Sequence, residues 1–358
     1  YPVMLKAAAG GGGKGMRLVH AREELKLALA AAQSEAHRAF GDSEVYLEKA
    51  IVDPRHIEMQ VLADEHGNTV YLGERECSIQ RRHQKVMEEA PSPLVDAEMR
   101  QRMGEVALRV TQAANYHNAG TVEFLVEQNP VDQEKKFYFL EMNTRLQVEH
   151  PITELVTGLD LVELQIRIAA GEELPFRQAD ILIRGHAIEC RIYAEDADNN
   201  FFPSPGKIEM LMTPAGPGIR LDSGVYAGWS VPIDYDPLLG KLIGYGEDRQ
   251  QAISRLTRAL PEYFVGGIKT NLGLFRRILA DSDFQSGKID TGYLERLLVA
   301  KAGSEDVGAE KSIAAMAAAV FSVLDSSANP AAAKPGGGAA AGPAESAWKR
   351  TARTEGLM

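Results

Sequence analysis

The stretch that decides the fold is Glu141-Met-Asn-Thr-Arg-Leu-Gln-Val-Glu-His-Pro151. Chemically active side chains occupy every second position in it: Glu141, Asn143, Arg145, Gln147 and Glu149. In an extended chain, side chains two residues apart share one face, so these five are predicted to converge on one side of a strand. A solvated edge strand can show the same alternation. The apolar run Phe137–Leu140 before it and the apolar helical segment after it favour a position inside a cleft.

The chain before this stretch is predicted to pair with it as a hairpin. Residues 121–127 and 136–143 are strand-like and are joined by a polar segment. If the hairpin is symmetric about residue 132, Glu123 lies opposite Glu141. Two adjacent carboxylates repel each other unless they share a proton or a cation lies between them. Together with Asn143 they form an oxygen ligand set suited to Mg²⁺, and a glycine-rich loop upstream favours this metal interpretation over a shared proton.

The rest of the alternating stretch suggests a site for a small anion. Arg145 and Gln147 can bind a planar oxyanion, because a guanidinium can hold one through two hydrogen bonds. Glu149 then lies where a general base would act on the proton of that anion. A later strand, 188–192, puts Arg191 on its polar face, where it can reach the same cleft or form a surface ion pair.

A glycine loop lies between the strand predicted at 1–7 and the helix predicted at 22–40. Gly10–Gly13 are followed by Lys14 and Gly15. Backbone N–H groups in such a loop can cradle phosphate oxygens, although a flexible linker has the same composition. The segment is not a Walker A loop, and its match to the dinucleotide pattern is weak because any run of glycines gives it.

Periodicity and composition divide the chain into two folded units and a tail. We expect strands at 44–51, 57–63 and 69–73, helices at 97–115 and 151–170, short strands from 185 to 246, and helices at 249–260 and 270–280. The first unit is predicted to span 1–178 and the second 184–299. Residues 302–358 are rich in Ala, Gly and Pro and are predicted to be a flexible tail, with one possible helix at 310–324.

Composition excludes some classes of function. The 358 residues carry 39 Lys plus Arg against 50 Asp plus Glu, a net charge of −11, which argues against non-specific nucleic-acid binding. No run approaches the length of a membrane span. Cys77 and Cys190 are far apart, so a disulfide framework and a structural zinc site are improbable; two buried thiols in a reducing compartment are expected.

Taken together, these residues resemble a biotin carboxylase of the ATP-grasp superfamily, over roughly residues 1–298. The motifs that carry the resemblance are Gly10–Met16, Tyr46–Lys49, Glu74–Lys85, Glu141–His150, Leu221–Gly228 and Tyr235–Lys241. The resemblance implies an α+β protein, with an ATP-grasp fold followed by a smaller α+β carboxy-terminal domain. The chain starts within a strand and without an initiator Met, so we expect the family's amino-terminal domain to be missing and residues 1–50 to be part of a lid.

The resemblance also assigns roles to residues at matching motif positions. The expected ATP-binding residues are Lys6, Gly11, Gly12, Gly13, Glu48, Lys49, Ile51, His56, Gln80, His83 and Lys85. The expected Mg²⁺ or Mn²⁺ ligands, for two ions, are Glu123, Glu141 and Asn143. The expected bicarbonate and biotin residues are Arg145, Gln147, Val148, Glu149 and Arg191. Among these, Glu149 is the expected base, Arg191 is expected to steady the biotin enolate, and Arg145 and Lys85 complete the catalytic set.

The implied activity is ATP-dependent carboxylation of biotin with bicarbonate, through carboxyphosphate. No Met-Lys-Met biotin-attachment motif occurs, so biotin is expected on a separate carrier protein or domain. The expected partners are that carrier, carboxyltransferase subunits and, at full length, a second copy of the chain; the expected compartment is the cytoplasm, or the mitochondrial matrix in a eukaryote. Two alternatives remain: another carboxyphosphate-forming ATP-grasp ligase, and a truncated, non-catalytic assembly module.

Overall fold

The computed structural model describes residues 1–9, 15–128 and 134–301, without the side chains of 300 and 301. Gly11, Gly12 and Gly13 of the glycine loop lie outside the described residues. So do the tail predicted at 302–358 and the helix predicted within it.

The described residues form runs of consecutive strands separated by one or more helices. The strands are β1 (Val3–Ala7), β2 (Arg17–Val19), β3 (Val45–Lys49), β4 (Arg55–Ala63), β5 (Thr69–Arg81), β6 (Gln84–Ala90), β7 (Asn118–Gln128), β8 (Lys135–Asn143), β9 (His186–Tyr193), β10 (Glu195–Asp196), β11 (Phe202–Pro203), β12 (Gly206–Lys207), β13 (Met210–Met212), β14 (Ile219–Ser223), β15 (Ser230–Val231), β16 (Leu238–Gly246) and β17 (Phe264–Gly266). The helices are α1 (Leu25–Phe40), α2 (Ala97–Ala113), α3 (His150–Thr157), α4 (Leu161–Ala169), α5 (Arg249–Glu262), α6 (Leu272–Ala280), α7 (Ser282–Gln285) and α8 (Tyr293–Lys301).

Most of the long strands belong to one large antiparallel sheet. Its eight strands lie in the order β14-β16-β9-β6-β5-β4-β7-β8. A separate three-stranded sheet, β2-β1-β3, lies at the start of the chain and packs against α1. The fold is therefore α+β, as predicted. The large sheet runs through both predicted units, because β9, β14 and β16 extend the sheet that β4 to β8 begin.

The two faces of the large sheet differ in chemistry. On β4, Ile57, Met59 and Val61 are fully buried and join the core that α2 covers. The residues between them, including Glu58 and Gln60, are equally buried but polar. Successive side chains of a strand point to opposite faces, so one face packs against α2 and the other gathers polar groups. The polar face is where the candidate site lies.

The alternating stretch is not a continuous strand, contrary to the sequence prediction. β8 ends at Asn143, and 144–149 form bends and a turn that lead into α3. β8 is also the edge strand of the sheet, and Glu141 and Arg145 are exposed, while Gln147 and Glu149 are buried. Neither the cleft nor the solvated edge describes the whole segment, because its first half lies at the edge and its second half turns inward.

The single helix predicted at 151–170 is also wrong. Gly158 adopts a left-handed conformation with φ 74° and ends α3, and the Asp160 side chain accepts a hydrogen bond from the backbone N–H of Glu163 to begin α4. Left-handed glycine is a common helix terminator, and Asp is a favoured N-cap. The sequence contains both signals within the predicted helix, so this break was readable from the residues.

Several other local predictions are confirmed. β4 and β5 form the predicted hairpin around the turn at 64–68, although β5 extends further than expected, to Arg81. The helices expected at 97–115, 249–260 and 270–280 match α2, α5 and α6. Cys77 and Cys190 are free and fully buried, and burial raises the pKa of both thiols well above its ordinary range. Across the described ranges, every helix is too short or too polar to cross a bilayer.

Candidate active site

The site is built on a row of charged residues that crosses four neighbouring strands. In the register of the sheet, Arg75 on β5 pairs with Glu58 on β4, Glu58 pairs with Glu123 on β7, and Glu123 pairs with Glu141 on β8. Directly paired residues project from the same face with Cβ atoms about 5 Å apart. The predicted opposition of Glu123 and Glu141 is therefore confirmed, and the row continues two strands further than the sequence suggested.

The oxygen-rich end of this row has the donors of a divalent metal site. The Asn143 amide nitrogen lies 3.1 Å from Glu123 Oε1 and 3.4 Å from Glu141 Oε1, so all three predicted ligands meet. Two carboxylates and an amide oxygen are hard ligands suited to Mg²⁺ or Mn²⁺, and rotation of the Asn143 amide would turn its oxygen toward them. The donor set fits such an ion.

Two neighbouring side chains also form hydrogen bonds with Glu123. His56 Nε2 lies 3.0 Å from Glu123 Oε2, and Gln147 donates to Glu123 Oε1 over 2.9 Å. Burial raises the pKa of Glu123, but the His56 hydrogen bond, the charges of His56 and Lys85, and the Gln147 hydrogen bond together lower that pKa well below its ordinary range. Glu123 is thus an anion at neutral pH, as a metal ligand must be.

Lys85 is the cation that three carboxylates share. Its Nζ lies 2.5 Å from Glu58 Oε2, 2.6 Å from Glu149 Oε1 and 3.2 Å from Glu123 Oε1. Burial lowers the pKa of Lys85, but these carboxylates outweigh the burial and raise the pKa well above its ordinary range. Glu58 has a pKa of about 2, because Arg75 and Lys85 overcome the effect of its complete burial. Sequence reasoning identified Lys85 but missed Glu58.

Glu149 lies between two cations at the start of a helix. Its side chain is 2 % exposed, and Arg191 donates to Glu149 Oε2 over 2.8 Å while Lys85 contacts Oε1. Glu149 also occupies the N-cap position of α3, where helix dipoles favour a negative charge. Arg191 therefore does reach this cleft. Its Nε lies 2.6 Å from Glu88 Oε1, a second buried partner that sequence reasoning missed.

The remaining predicted anion-site residues follow the turn after β8. Arg145 is exposed and donates to Asn143 Oδ1 over 3.2 Å. Val148 is 36 % exposed, and its carbonyl accepts a hydrogen bond from Lys241 over 2.9 Å. Gln147 is buried between Glu123 and Arg75. Although the segment is not one strand, the turn still brings its polar side chains to the metal ligands and to Lys85.

Arg75 donates hydrogen bonds to five side chains of the site, and sequence reasoning missed it too. Its side chain is completely buried, and each of its five N–H groups has an acceptor. The acceptors are Glu58 Oε1 at 2.5 Å, Gln60 Oε1 at 2.6 Å, Thr153 Oγ1 and Gln147 Oε1 at 2.9 Å, and Thr121 Oγ1 at 3.2 Å. A guanidinium only donates, so Arg75 fixes which end of the Gln147 amide faces Glu123.

Thr153→Val is expected to lower the free energy of unfolding by about 1–3 kcal/mol, because it leaves one buried N–H of Arg75 without an acceptor. Chemical denaturation measures the loss. Thr157→Val is the matched control, since Thr157 lies one turn further along α3 and its hydroxyl only donates to the Thr153 carbonyl. Thr157→Val should lower the free energy of unfolding by about 1 kcal/mol or less. Equal losses in both variants would contradict a specific role for the Thr153 hydroxyl.

The predicted nucleotide residues are divided between two parts of the structure. Lys6 lies on β1 and forms an ion pair with Glu48 on β3, in the small sheet, with Lys49 ending β3. Ile51 follows that strand. Gln80 and His83 lie at the β5–β6 hairpin, where Gln80 pairs with Lys85 and His83 has a φ of 66°. His56, on β4, is buried against Glu123. The metal ligands thus meet Lys85 and His56, whereas Lys6, Glu48 and Lys49 belong to the other sheet.

Comparison with known proteins places this arrangement in a family. The chain matches the family model described as "Carbamoyl-phosphate synthase L chain, ATP binding domain" over residues 1–177, and that described as "Biotin carboxylase C-terminal domain" over residues 189–296. It is 52% identical over 297 residues to a biotin carboxylase of Nostoc sp., covering 83% of this chain and 65% of the relative. It is 51% identical over 295 residues to biotin carboxylase 1 of Bacillus subtilis, covering 82% of this chain and 65% of the relative.

Solved structures give the same result. A biotin carboxylase of Campylobacter jejuni, in a β-γ-ATP complex, superposes with a TM-score of 0.78 at 49% identity, over 83% of this chain and 65% of that one. The biotin carboxylase domain dimer of the Hydrogenobacter thermophilus 2-oxoglutarate carboxylase, with MgADP, ADP and bicarbonate, gives 0.79 at 46% identity and the same coverage.

Fold, site and comparisons define an ATP-grasp protein, with an ATP-binding domain followed by a biotin carboxylase carboxy-terminal domain. Within that class, the chain belongs to the biotin carboxylase family. It spans 65% of the length of the two curated relatives described above.

Proposed function

We propose that this protein carboxylates biotin, held on a carrier protein or domain, with bicarbonate and ATP. The observation that carries the proposal is Glu149, a buried carboxylate held between Lys85 and Arg191 beside the metal-ligand pair Glu123 and Glu141. This is the first half-reaction of a biotin-dependent carboxylase. The bicarbonate and MgADP bound in the Hydrogenobacter relative support it.

Each part of the site then has a chemical task. Glu123, Glu141 and Asn143 would hold two Mg²⁺ or Mn²⁺ ions, which offset the negative charge of the phosphates during transfer. Arg145, Gln147 and the Val148 backbone would bind bicarbonate. Glu149 accepts the bicarbonate proton, and the dianion attacks the γ-phosphate of ATP, releasing ADP and forming carboxyphosphate.

Carboxyphosphate then breaks down to CO₂ and phosphate. The phosphate takes the N1 proton of biotin, and the resulting enolate attacks CO₂ to give N-carboxybiotin. Arg191, which donates a hydrogen bond to Glu149, would steady the enolate oxygen. The residues of this chain mainly position reactants and balance charge, as is general for phosphoryl transfer.

The nucleotide would be bound by residues of both sheets. The proposed set is Lys6, Gly11, Gly12, Gly13, Glu48, Lys49, Ile51, His56, Gln80, His83 and Lys85. Residues 1–178 would form the ATP-grasp part and 184–299 the carboxy-terminal part, a division close to the limits of the two family models.

The proposed partners follow from the chemistry. A carrier must present biotin, and a carboxyltransferase must consume carboxybiotin. The Hydrogenobacter relative is described as a dimer, which supports a homodimer at full length. A cytoplasmic location is proposed, with the mitochondrial matrix as the eukaryotic alternative, since one relative belongs to the mitochondrial methylcrotonoyl-CoA carboxylase of Rattus norvegicus.

The proposal is tested by ADP formation in the full-length gene product that contains these residues. With Mg²⁺ and ATP present, turnover should require both bicarbonate and free biotin. Glu149→Gln should lower turnover about a hundredfold, because the amide cannot accept the bicarbonate proton. Thr157→Val, away from the cleft, is the control for handling and folding.

The alternatives give different results. Turnover that needs bicarbonate but ignores biotin would identify another carboxyphosphate-forming ligase. Binding of ATP without turnover would identify a non-catalytic assembly module. Full activity of Glu149→Gln would remove Glu149 from the role of base.

A further inference from the structure

A second pair of carboxylates lies behind Arg191. Glu88 on β6 and Glu189 on β9 are direct partners in the register of the large sheet. Their side chains therefore project from the same face, and the residues are 1 % and 0 % exposed. The proposed chemistry uses neither residue. Two adjacent buried carboxylates require an explanation, because a buried ionised group without a partner is costly.

The partners of this pair are too few for two negative charges. Arg191 Nε lies 2.6 Å from Glu88 Oε1, which is an ion pair, although the two groups are not aligned as a hydrogen bond. Within the part of the chain that the structure describes, none of the four oxygens of the pair has a hydrogen-bond partner. The same Arg191 also neutralises Glu149. Arg191 is thus the contacting cation of both Glu149 and Glu88, and among the described residues no cation forms an ion pair with Glu189.

The charged groups around the pair favour retention of a proton. Burial raises the pKa of Glu88 to about 7, opposed by Arg191 and Lys85 and reinforced by Glu149. Burial and the neighbouring Glu88 raise the pKa of Glu189 well above its ordinary range, against the opposing charges of Lys241 and Arg191. Carboxylates that face each other cannot both ionise cheaply, so the two act as one unit.

We propose that Glu88 and Glu189 form a carboxyl pair that keeps one proton at neutral pH and holds the Arg191 guanidinium against Glu149. Glu88 contacts Arg191 at Nε and Glu149 contacts it at Nη2, so two carboxylates hold two neighbouring nitrogens of the guanidinium. Because Glu189 keeps its proton, it can lie beside Glu88 without adding a second buried negative charge. Glu88 and Glu189 are positioning residues, and their functional effect rests on the function proposed above for Arg191.

Thermal unfolding between pH 6 and pH 8.5 tests the shared proton without any substrate. A carboxyl group whose pKa is raised on folding loses stabilising free energy as the pH rises through that pKa. Glu189→Gln copies the protonated form and does not titrate. Its Tm relative to the parent should therefore rise by about 3 °C from pH 6 to pH 8.5. A relative Tm that falls over this range would overturn the proposal, because it would mean that the ionised pair is stabilising.

Glu89→Gln is the matched control, one residue along the same strand. Although burial raises the pKa of Glu89, the hydrogen bond from His186 and the charge of Arg249 outweigh the burial and lower the pKa to about 2. Its carboxylate stabilises the fold at every pH above its ordinary value of 4.5 and loses that effect only in acid. Glu89→Gln should therefore lower the Tm at pH 6 and at pH 8.5 alike, without the rise expected of Glu189→Gln.

Steady-state kinetics on the full-length protein test the positioning of Arg191. Glu88→Ala should raise the KM for biotin about tenfold while the KM for ATP stays within about twofold, because Arg191 is one of the proposed biotin-binding residues and the proposed nucleotide residues keep their contacts. Glu88→Gln, which keeps the shape and an acceptor oxygen, should restore most of the loss. An unchanged biotin KM in Glu88→Ala would overturn the positioning role. A parent protein without biotin-dependent turnover would instead refute the proposed function. The unfolding experiment would still test whether Glu88 and Glu189 share a proton.

Discussion

Lys85→Met is expected to lower the rate of ADP formation by about a thousandfold, because one ammonium group serves three carboxylates and, in the proposed function, the phosphates of ATP. Its Nζ contacts Glu58, Glu123 and Glu149 within 3.2 Å. Methionine keeps the length and apolar stem of the side chain but removes the charge. Glu123 would then lose a partner that keeps it ionised, and Glu149 would lose one of its two cations. Rapid-quench measurement of ADP formation at saturating ATP gives the rate.

The same substitution should lower the free energy of unfolding by about 3–5 kcal/mol at pH 8, since it leaves buried carboxylates without their shared cation. The deficit should shrink toward pH 5.5. Loss of Lys85 raises the pKa values of the carboxylates in the folded state, so they take up protons at lower pH and their mutual repulsion falls. Urea denaturation at the two pH values measures the difference.

Lys135→Met is the control for loss of a lysine. Lys135 also binds an acidic residue, Asp96, but at the far end of β8 and with 25 % of its side chain exposed. It should change stability by about 1 kcal/mol or less and leave turnover near that of the parent. If Lys85→Met lowered the free energy of unfolding and turnover no more than Lys135→Met does, Lys85 would not be the shared cation of the site.

Sequence alone predicted the parts of the site that depend on local geometry. Glu123 and Glu141 are joined by a single hairpin, so their opposition follows from counting residues around one turn. Glu58 and Arg75 also face each other across one hairpin, β4–β5, but their place beside Glu123 depends on β4 lying next to β7. Strand order in a sheet is set by the packing of the whole domain, and no count of residues around one turn reveals it.

A signal for Glu58 was nevertheless present. His56, Glu58 and Gln60 alternate with Ile57, Met59 and Val61 along β4, and all six are buried. When six such residues are all buried, the face that carries the polar side chains indicates a functional site. The residue order shows the alternation but not the burial. In the same way, alternation predicts an extended chain after Asn143, whereas the structure has a turn there that only the packing of α3 reveals.

Arg75→Met is the second substitution with a large expected effect, and it should lower the free energy of unfolding by about 3–5 kcal/mol. It removes five hydrogen bonds at once and leaves Glu58, which is fully buried, with Lys85 as its remaining contacting cation. Arg75→Lys should recover only part of the loss, since an ammonium has three donors and no planar fork. Arg167→Met, in a surface pair with Glu172, is the control and should cost less than about 1 kcal/mol.

The effect of Arg75 on activity separates orientation from stability. Arg75 holds Gln147 Oε1 so that Gln147 Nε2 faces Glu123 and the proposed bicarbonate site. In Arg75→Lys at a temperature well below its Tm, the KM for bicarbonate should rise about tenfold, because the amide is no longer held in one orientation. The KM for biotin should change less, since Arg191 and Glu149 keep their contacts. Equal increases in both KM values would show that the substitution loosens the whole cleft rather than the Gln147 amide.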